Sequence, residues 1–280
     1  MNTSATLRSS ISTHWPEYLM EAGSLACFMI SACLFTVLLH HPASPVYQTI
    51  SNLFARRVLT GIAMGLTLIA IVFSPWGKQS GAHLNPSFTW TFYRLGKINA
   101  WDALFYSVAQ FAGGIVGVLV STVFLRNAIA HPAVQYAVTL PGPLGAWIAL
   151  IAEIVISFLL MLTVLLVSNS PVLTRYTAFF AGSLVALYIT FEAPYSGMSM
   201  NPARTFGSAF PANIWTSLWV YFLAPSMGML LAAETYVHVN GIRRVYCAKY
   251  NHQNNKRCIF LCNYGELMQI AEGSQSKSIQ

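Results

Sequence analysis

Two short stretches of the chain share one pattern, in which a Ser-Gly pair precedes Asn-Pro. They are "SGAHLNPS", residues 80–87, and "SGMSMNPA", residues 196–203. Asn before Pro is a good helix N-cap, because its side-chain oxygen accepts a hydrogen bond from a first-turn N–H. Capping leaves the amide NH2 groups of Asn85 and Asn201 as donors to another molecule. No constellation of nucleophile and base accompanies them, so we expect no enzyme activity.

The composition places these motifs in a membrane. The 280 residues are 55% hydrophobic and 8% charged, whereas soluble domains have about 25% charged residues. Several apolar runs approach the roughly 20 residues that a spanning helix needs. They lack the period-two alternation of barrel strands, so helices are expected. The predicted spans lie near residues 17–40, 53–74, 101–125, 146–168, 175–192 and 215–239.

Two further apolar stretches, 86–95 and 202–210, begin with Pro and are too short to cross a bilayer. Each therefore predicts a half-helix inside a three-span repeat, and the repeats cover 17–125 and 146–239. Three is an odd number, so the second repeat must be inverted. The chain is thus predicted to be an all-α membrane protein with six transmembrane helices plus two re-entrant half-helices in an inverted repeat.

The half-helix N-termini are expected to meet near the middle of the membrane. Each brings a partial positive charge of about half a unit, which repels cations. The extended segments before the caps cannot make helical hydrogen bonds, so their carbonyls are free to line a lumen. Acceptors along a path with two donors at its centre suit a small, neutral, polar molecule. The predicted lining carbonyls belong to Gly81, Ala82, His83, Gly197, Met198 and Ser199.

Arg204 follows the second motif directly. Placing a charged residue at the membrane centre costs at least about 2.5 kcal/mol, so Arg204 is expected to serve a function. Its guanidinium would narrow the lumen, donate to a passing solute and repel cations. The alternative is a structural Arg that pairs with Glu192 or with loop carbonyls.

The net charge of +7 indicates topology, and we expect no nucleic-acid partner. Six spans place both termini of this multi-pass protein on the same side of the membrane. If that side is the cytoplasm, most Lys and Arg residues face it, as the positive-inside rule predicts. Arg56 and Arg57 are exceptions. We expect the cell membrane as the location, with the lipid bilayer as a partner, and neither a cleaved signal peptide nor a transit peptide.

The predicted organisation is a cytosolic segment 1–16, a channel domain 17–239 and a cytosolic tail 240–280. The five cysteines form no disulfide framework. Cys247, Cys258 and Cys262 permit a metal site with His252 but match no strong spacing rule, so we expect no metal and no cofactor. The tail is expected to be mobile. Alternatively, a short helix around 258–271 would lie against the membrane or gate the lumen.

The paired motifs "SGAHLNPS" and "SGMSMNPARTFGSA" resemble those of the aquaporin, or major intrinsic protein, family, and the resemblance covers residues 17–239. It implies six spans around one pore per chain and a homotetramer. It also implies passive flow of water or small neutral solutes, which are the expected partners, without proton leak.

The resemblance implies roles for residues at matching positions. The central motifs are Asn85, Pro86, Ser87, Asn201, Pro202 and Ala203. The selectivity constriction is Arg204, Ile189, Met198 and either Met64 or Gly65, because the loop after the second span is one residue longer than usual. Glu21 and Glu153 match the buried glutamates that accept bonds from the pore loops, and Gln110 matches a polar residue of the third span.

The departures from the family pattern leave the solute open. Ser87 replaces Ala, which we expect to be tolerated because Ser can bond to local backbone. Ile189 replaces the His of strict water channels, which favours a facilitator of glycerol or ammonia. Thr205 replaces the Asp of glycerol facilitators, and the aromatic pair Tyr221, Phe222 in the sixth span resembles that of the water-channel branch. A coupled secondary transporter is a less favoured reading, because Glu21 and the matching Glu153 are expected behind the pore loops.

Overall fold

All regular secondary structure in residues 6–277 is helical in the computed structural model, which describes these residues and, for 271–277, the backbone alone. Nine helices position the site and the tail. They are α1 Leu7–His40, α2 Leu53–Phe73, α3 Pro86–Arg94, α4 Ala100–Leu125, α5 Ala146–Ser168, α6 Thr177–Phe191, α7 Pro202–Ala212, α8 Leu218–Asn240 and α9 Tyr264–Lys277.

Five of these helices, α1, α2, α4, α5 and α8, are long and apolar enough to cross a membrane. The sixth, α6, has only 15 residues. A 3-10 turn, Thr174–Tyr176, runs directly into it, so the helical stretch covers 174–191. The prediction of six transmembrane helices and two half-helices is confirmed.

Helix α1 begins at Leu7, inside the segment 1–16 that the sequence analysis placed before the first span. A capping box explains this early start, because Thr6 and Ser9 each accept a hydrogen bond from the other's backbone N–H at 3.2 Å. The helix continues through Pro16.

The long helices pack in pairs through small residues. A Cβ atom on Gly113 of α4 would lie 2.2 Å from the Ala22 carbonyl oxygen of α1, and one on Gly228 of α8 would lie 2.4 Å from the Ile154 carbonyl oxygen of α5. Membrane helices use such residues to bring their backbones together. These pairs are the first and third spans of each half, which is the symmetry that the repeat predicted.

Each half-helix packs against the other half of the molecule. Helix α7 lies against α4, and α3 lies against α8. A Cβ atom on Gly114 of α4 would come within 2.7 Å of the Ala203 carbonyl oxygen in α7. The half-helices therefore lock the two repeats together.

Within residues 241–270 the tail after α8 is packed, which corrects the expectation that it is mobile. Val245, Ala248, Phe260 and Leu267 are buried and belong to the same hydrophobic core as the spans. The tail helix is α9, which begins at Tyr264 rather than at residue 258. Apolar side chains explain the packing, because they cover the end of the bundle where α3 enters.

Candidate pore

The two half-helices begin as the Asn-Pro motifs predicted. The Asn85 Oδ1 atom accepts from the Ser87 N–H at 2.9 Å, and Asn201 Oδ1 accepts from the N–H groups of Ala203 and Arg204 at 3.0 and 3.2 Å. Both Asn residues have extended backbone, and Pro occupies the first helical position of each helix. Local capping thus fixes both side chains at the helix tips.

The capping amides also join the two repeats. Asn85 Nδ2 donates to the Met200 carbonyl at 2.6 Å, and Asn201 Nδ2 donates to the Leu84 carbonyl at 2.7 Å. From the capping pattern alone, these NH2 groups are expected to be free. Each NH2 group carries two N–H bonds, so one holds the opposite repeat and the other is left as a further donor.

The backbone before each cap is strained in the same way. Ala82 and Leu84 have φ values of 57° and 53°, and Met198 and Met200 both have 54°. This left-handed region costs about 1–3 kcal/mol for each residue other than Gly. Such strain persists only where the surroundings determine the conformation.

Glu21 supplies that restraint in the first half. Its carboxylate is fully buried and accepts from the N–H groups of His83 and Leu84 at 3.0 and 2.7 Å. It also accepts from Ser80 Oγ at 2.7 Å and from Gln110 Nε2 at 2.8 Å. The carboxylate therefore holds the strained segment through its backbone donors.

Glu153 does the same in the second half. It accepts from the N–H groups of Ser199 and Met200 at 2.6 and 2.7 Å and from Ser196 Oγ at 2.8 Å. The bonded residues stand at the same motif positions as those of Glu21. The inverted repeat is thus reproduced down to individual hydrogen bonds.

A cavity of about 580 Å³ passes the two capping asparagines. Its wall contains Asn85, Asn201, Arg204, Ile189, Met198, Met64, His83, Gly197 and Ser199. Among the expected lining residues, Gly81 and Ala82 are not in the wall. The tail explains this difference, because the Gly81 carbonyl accepts from the Tyr250 N–H at 3.2 Å.

The structure separates the two candidates for the second-span position. Met64 lies on the cavity wall with Thr60 and Leu68, one helical turn to either side. Gly65 instead faces α6, where an added Cβ atom would lie 2.4 Å from the Gly182 carbonyl oxygen. Gly65 therefore serves helix packing.

Arg204 has a partner that the sequence did not indicate. Its Nη1 atom donates to Thr139 Oγ1, and Thr139 is buried in the loop before α5. No ion pair with Glu192 occurs within residues 6–270, whose side chains are described. The loop could not be placed from sequence, because it carries no motif and adopts left-handed conformations at Gln135 and Tyr136.

Ser87 departs from its expectation of a bond to local backbone. Its hydroxyl lies 2.9 Å from the Ser226 hydroxyl on α8. The first turn of α3 is therefore tied to the opposite repeat by this pair.

Arg56 and Arg57 lie near the start of α2, at the end of the cavity away from the tail. Arg57 lines the cavity there together with His40. Arg56 donates from Nη1 to the carbonyls of Ile50 and Ser51 at 2.7 and 3.0 Å, and it stacks over the Tyr47 ring. Arg56 thus caps the loop that precedes α2.

The opposite end of the cavity is covered by the tail. The Tyr250 side chain is part of the wall. His83 Nε2 lies 3.0 Å from the Ala248 carbonyl oxygen, and the Phe260 ring stacks on the imidazole at 5.1 Å. Burial lowers the pKa of Lys249, whose Nζ donates to the carbonyls of Lys78 and Arg257. Sequence reasoning missed these contacts because the tail has no periodic apolar pattern.

Comparison with known proteins gives the family. The family model described as "Major intrinsic protein" matches residues 11–236. The chain belongs to the major intrinsic protein family. The resemblance expected from the two motifs is therefore confirmed, and this family member is a membrane protein with apolar spanning helices.

Several aquaporins are similar to this family member. "Aquaporin NIP2-2" of Zea mays is 35% identical over 180 residues, which cover 64% of this chain and 58% of the relative. "Aquaporin NIP2-3" of Zea mays is 34% identical over 232 residues, with 82% and 73% covered. "Aquaporin-4" of Mus musculus is 34% identical, with 65% and 56% covered. The chain thus spans less than two thirds of the length of some relatives.

A solved structure supports the fold. The aquaglyceroporin from Plasmodium falciparum superposes with a TM-score of 0.65 and 20% sequence identity. The superposition covers 80% of this chain and 96% of that one. At this identity the likeness concerns the fold alone.

Proposed function

We propose that this major intrinsic protein is a passive channel for water and other small uncharged solutes that excludes ions and protons. The observation that carries the proposal is the cavity lined by both capping asparagines and by Arg204. Two remaining amide N–H bonds can orient one solute at the point where two half-helices direct their positive ends. A cation at that point meets repulsion, whereas a neutral hydrogen-bonding molecule does not.

A constriction made of Arg204, Ile189, Met198 and Met64 fits this proposal. Arg204 supplies the donor, and the other three side chains supply apolar wall. Because Ile189 offers no hydrogen bond, the constriction holds water weakly and admits less polar solutes. This favours a facilitator of glycerol or ammonia as the second candidate.

Thr205 and Tyr221, the two residues that disfavour a glycerol facilitator, lie outside the cavity wall. The Tyr221 hydroxyl donates to the Ser196 carbonyl at 2.6 Å. Thr205 is buried, and its hydroxyl lies near that of Thr139. Both residues support the segment before α7, residues 197–201, which we call the second pore loop. Neither residue therefore contacts a solute in the cavity.

A coupled transporter is disfavoured by the carboxylates. No Asp or Glu lies in the wall of the cavity within the described part of the chain. Glu21 and Glu153 are fully buried and accept hydrogen bonds from the pore loops. An ion-coupling site would need such groups in the lumen.

The arrangement in the membrane follows from exposed apolar surface. Val123 and Phe124 are 72% and 79% exposed, and such side chains require lipid or neighbouring subunits. We place the protein in the cell membrane, with both termini in the cytoplasm. A homotetramer would cover part of these outward faces, while lipid would cover the remainder.

Stopped-flow light scattering of proteoliposomes tests the function. The full chain and a Tyr250→Ala variant, which widens the tail end of the cavity, are exposed to sucrose, glycerol and urea gradients. Faster shrinkage under sucrose than in protein-free liposomes is expected, with no proton conductance. The proposal fails if neither protein accelerates the exchange of any solute.

Arg204→Ala tests the constriction in the same liposomes. Removing the guanidinium takes bulk and a positive charge out of the cavity wall, so flux of urea or of cations should rise relative to water. Arg175→Ala is the matched control, because Arg175 lies over the Tyr176 ring before α6 and outside the cavity wall. Unchanged selectivity in Arg204→Ala would contradict a filter role.

A further inference from the structure

Four side chains of the tail bring metal-ligating atoms together. They are Cys247, His252, Cys258 and Cys262, and their ligand atoms all lie within 4.8 Å of one another. The Cys247 and Cys258 sulfurs are 3.6 Å apart, and Cys262 Sγ lies 3.1 Å from His252 Nε2. None of the four lines the cavity.

These separations approach those of a tetrahedral zinc site. With Zn–S bonds of about 2.3 Å and Zn–N bonds of about 2.0–2.1 Å, ligand atoms in a tetrahedron are about 3.5–3.8 Å apart. A disulfide is a poorer fit, because its S–S bond is about 2.05 Å and a tail in the proposed cytosolic position is kept reduced. Three thiolates and one imidazole form a soft donor set that selects zinc over Mg²⁺ or Ca²⁺.

We propose that Cys247, His252, Cys258 and Cys262 bind one zinc ion, and that this ion holds the tail against the cytoplasmic mouth of the cavity. This revises the expectation of no metal. Cys258 and Cys262 form a C-x3-C pair, which is within the usual ligand spacing. The remaining ligands precede that pair in irregular backbone, which explains why the sequence pattern alone is weak.

The surroundings of the four ligands are already ordered. The Tyr264 N–H donates to Cys262 Sγ at 3.5 Å, and the Tyr264 ring stacks on the His252 imidazole at 4.3 Å. Outer contacts of this kind orient ligands in metal sites. Lys97 Nζ donates to Asn263 Oδ1 at 2.7 Å and Lys249 Nζ donates to the Arg257 carbonyl at 2.8 Å, which places both ammonium groups beside Cys262 and Cys258. A site with three thiolates and Zn²⁺ has a net negative charge, which these cations offset.

The same segment reaches the cavity. Ala248 and Tyr250 lie between the first two ligands in sequence, and they contact His83 and Gly81 respectively. The Tyr250 ring stacks on Phe88 of α3 at 4.8 Å. A metal that ties Cys247 to Cys258 and Cys262, in the segment before α9, therefore fixes the residues that cover the mouth.

The metal content of the full chain, purified in reducing buffer, tests the site. Mass spectrometry of metals should find one zinc per chain, and Co²⁺ exchanged into the site should show thiolate charge-transfer absorption. Cys258→Ser and Cys262→Ser should lower zinc affinity by about tenfold or more. Cys27→Ser is the matched control, because Cys27 is an exposed cysteine of α1. Protein that takes up neither zinc nor cobalt, or a Cys27 effect as large as those of the tail variants, overturns the site.

Hydrogen exchange tests what the metal does to the tail. Protection of residues 245–264 should fall when a chelator removes zinc and should return when zinc is restored. The Cys262→Ser variant should show low protection under both conditions. Equal protection with and without zinc overturns the role in holding the tail, even if the metal binds.

Flux through proteoliposomes tests closure, which rests on the proposed function. Chelation should raise the flux of the full chain and leave that of Cys262→Ser unchanged. Equal, measurable flux with and without zinc overturns closure. If zinc binds and protects the tail but Tyr250→Ala and the chelated protein show no flux, the proposed function fails while the metal site stands.

Discussion

Replacing Glu153 should destabilise the second pore loop more than any surface substitution. Its carboxylate is fully buried and accepts from the Ser199 and Met200 N–H groups and from Ser196 Oγ. Glu153→Ala leaves these three donors unsatisfied, at about 1–3 kcal/mol each, so the total cost is about 3–9 kcal/mol. Glu153→Gln keeps one acceptor oxygen but brings an NH2 group against a backbone N–H, so it should cost about 1–3 kcal/mol.

Thermal unfolding in detergent, followed by tryptophan fluorescence and by size-exclusion elution, measures these effects. Glu234→Gln is the matched control, because Glu234 is half exposed on α8 and pairs with Arg94 at 2.9 Å. Such a surface pair is worth about 0–1 kcal/mol. The expected order of stability is Glu234→Gln, then Glu153→Gln, then Glu153→Ala. If Glu153→Ala unfolds at the same temperature as Glu234→Gln, the carboxylate does not hold the strained loop.

Three more substitutions test other contacts. Ile189→His adds a donor to the constriction, so the ratio of water to glycerol permeability should rise in stopped-flow measurements; a higher glycerol flux would refute this. Gly65→Val forces side-chain atoms onto a backbone carbonyl of α6, so the yield of monodisperse protein should fall sharply, whereas Gly265→Ala, with open space around it, should elute normally. Ser87→Ala should cost less than about 1 kcal/mol, because Ser226 Oγ keeps its bond to the Phe222 carbonyl; a loss of several kcal/mol in thermal unfolding would contradict it.

Much of the channel architecture could be predicted because it depends on local rules. Apolar runs determine the spans, and Asn before Pro determines where α3 and α7 begin. The inverted repeat then follows from counting three spans in each half. Glu21 and Glu153 were assigned to the pore loops through the family resemblance, and each accepts hydrogen bonds from those loops.

Long-range partners could not be predicted in the same way. The Asn85 and Asn201 amides donate to carbonyls 115 and 117 residues away, and no local pattern encodes that choice. Thr139 meets Arg204 only because an irregular loop folds over the cavity. The loop after the second span is one residue longer than usual, so the sequence could not decide whether Met64 or Gly65 lies in the constriction. The packing of α2 decides it.

The tail is the part of the chain whose structure was hardest to predict from the sequence. Its sequence is polar and has no period, which favours a mobile segment. Yet Ala248, Phe260 and Leu267 are buried, since the open end of the helical bundle offers them an apolar surface.

The sequence by itself determined the spans, the caps and the family, because helix length and capping are local properties. Only the tertiary structure decided which residues cover the cavity and which bring His252 together with the three tail cysteines, because those contacts depend on how distant segments pack.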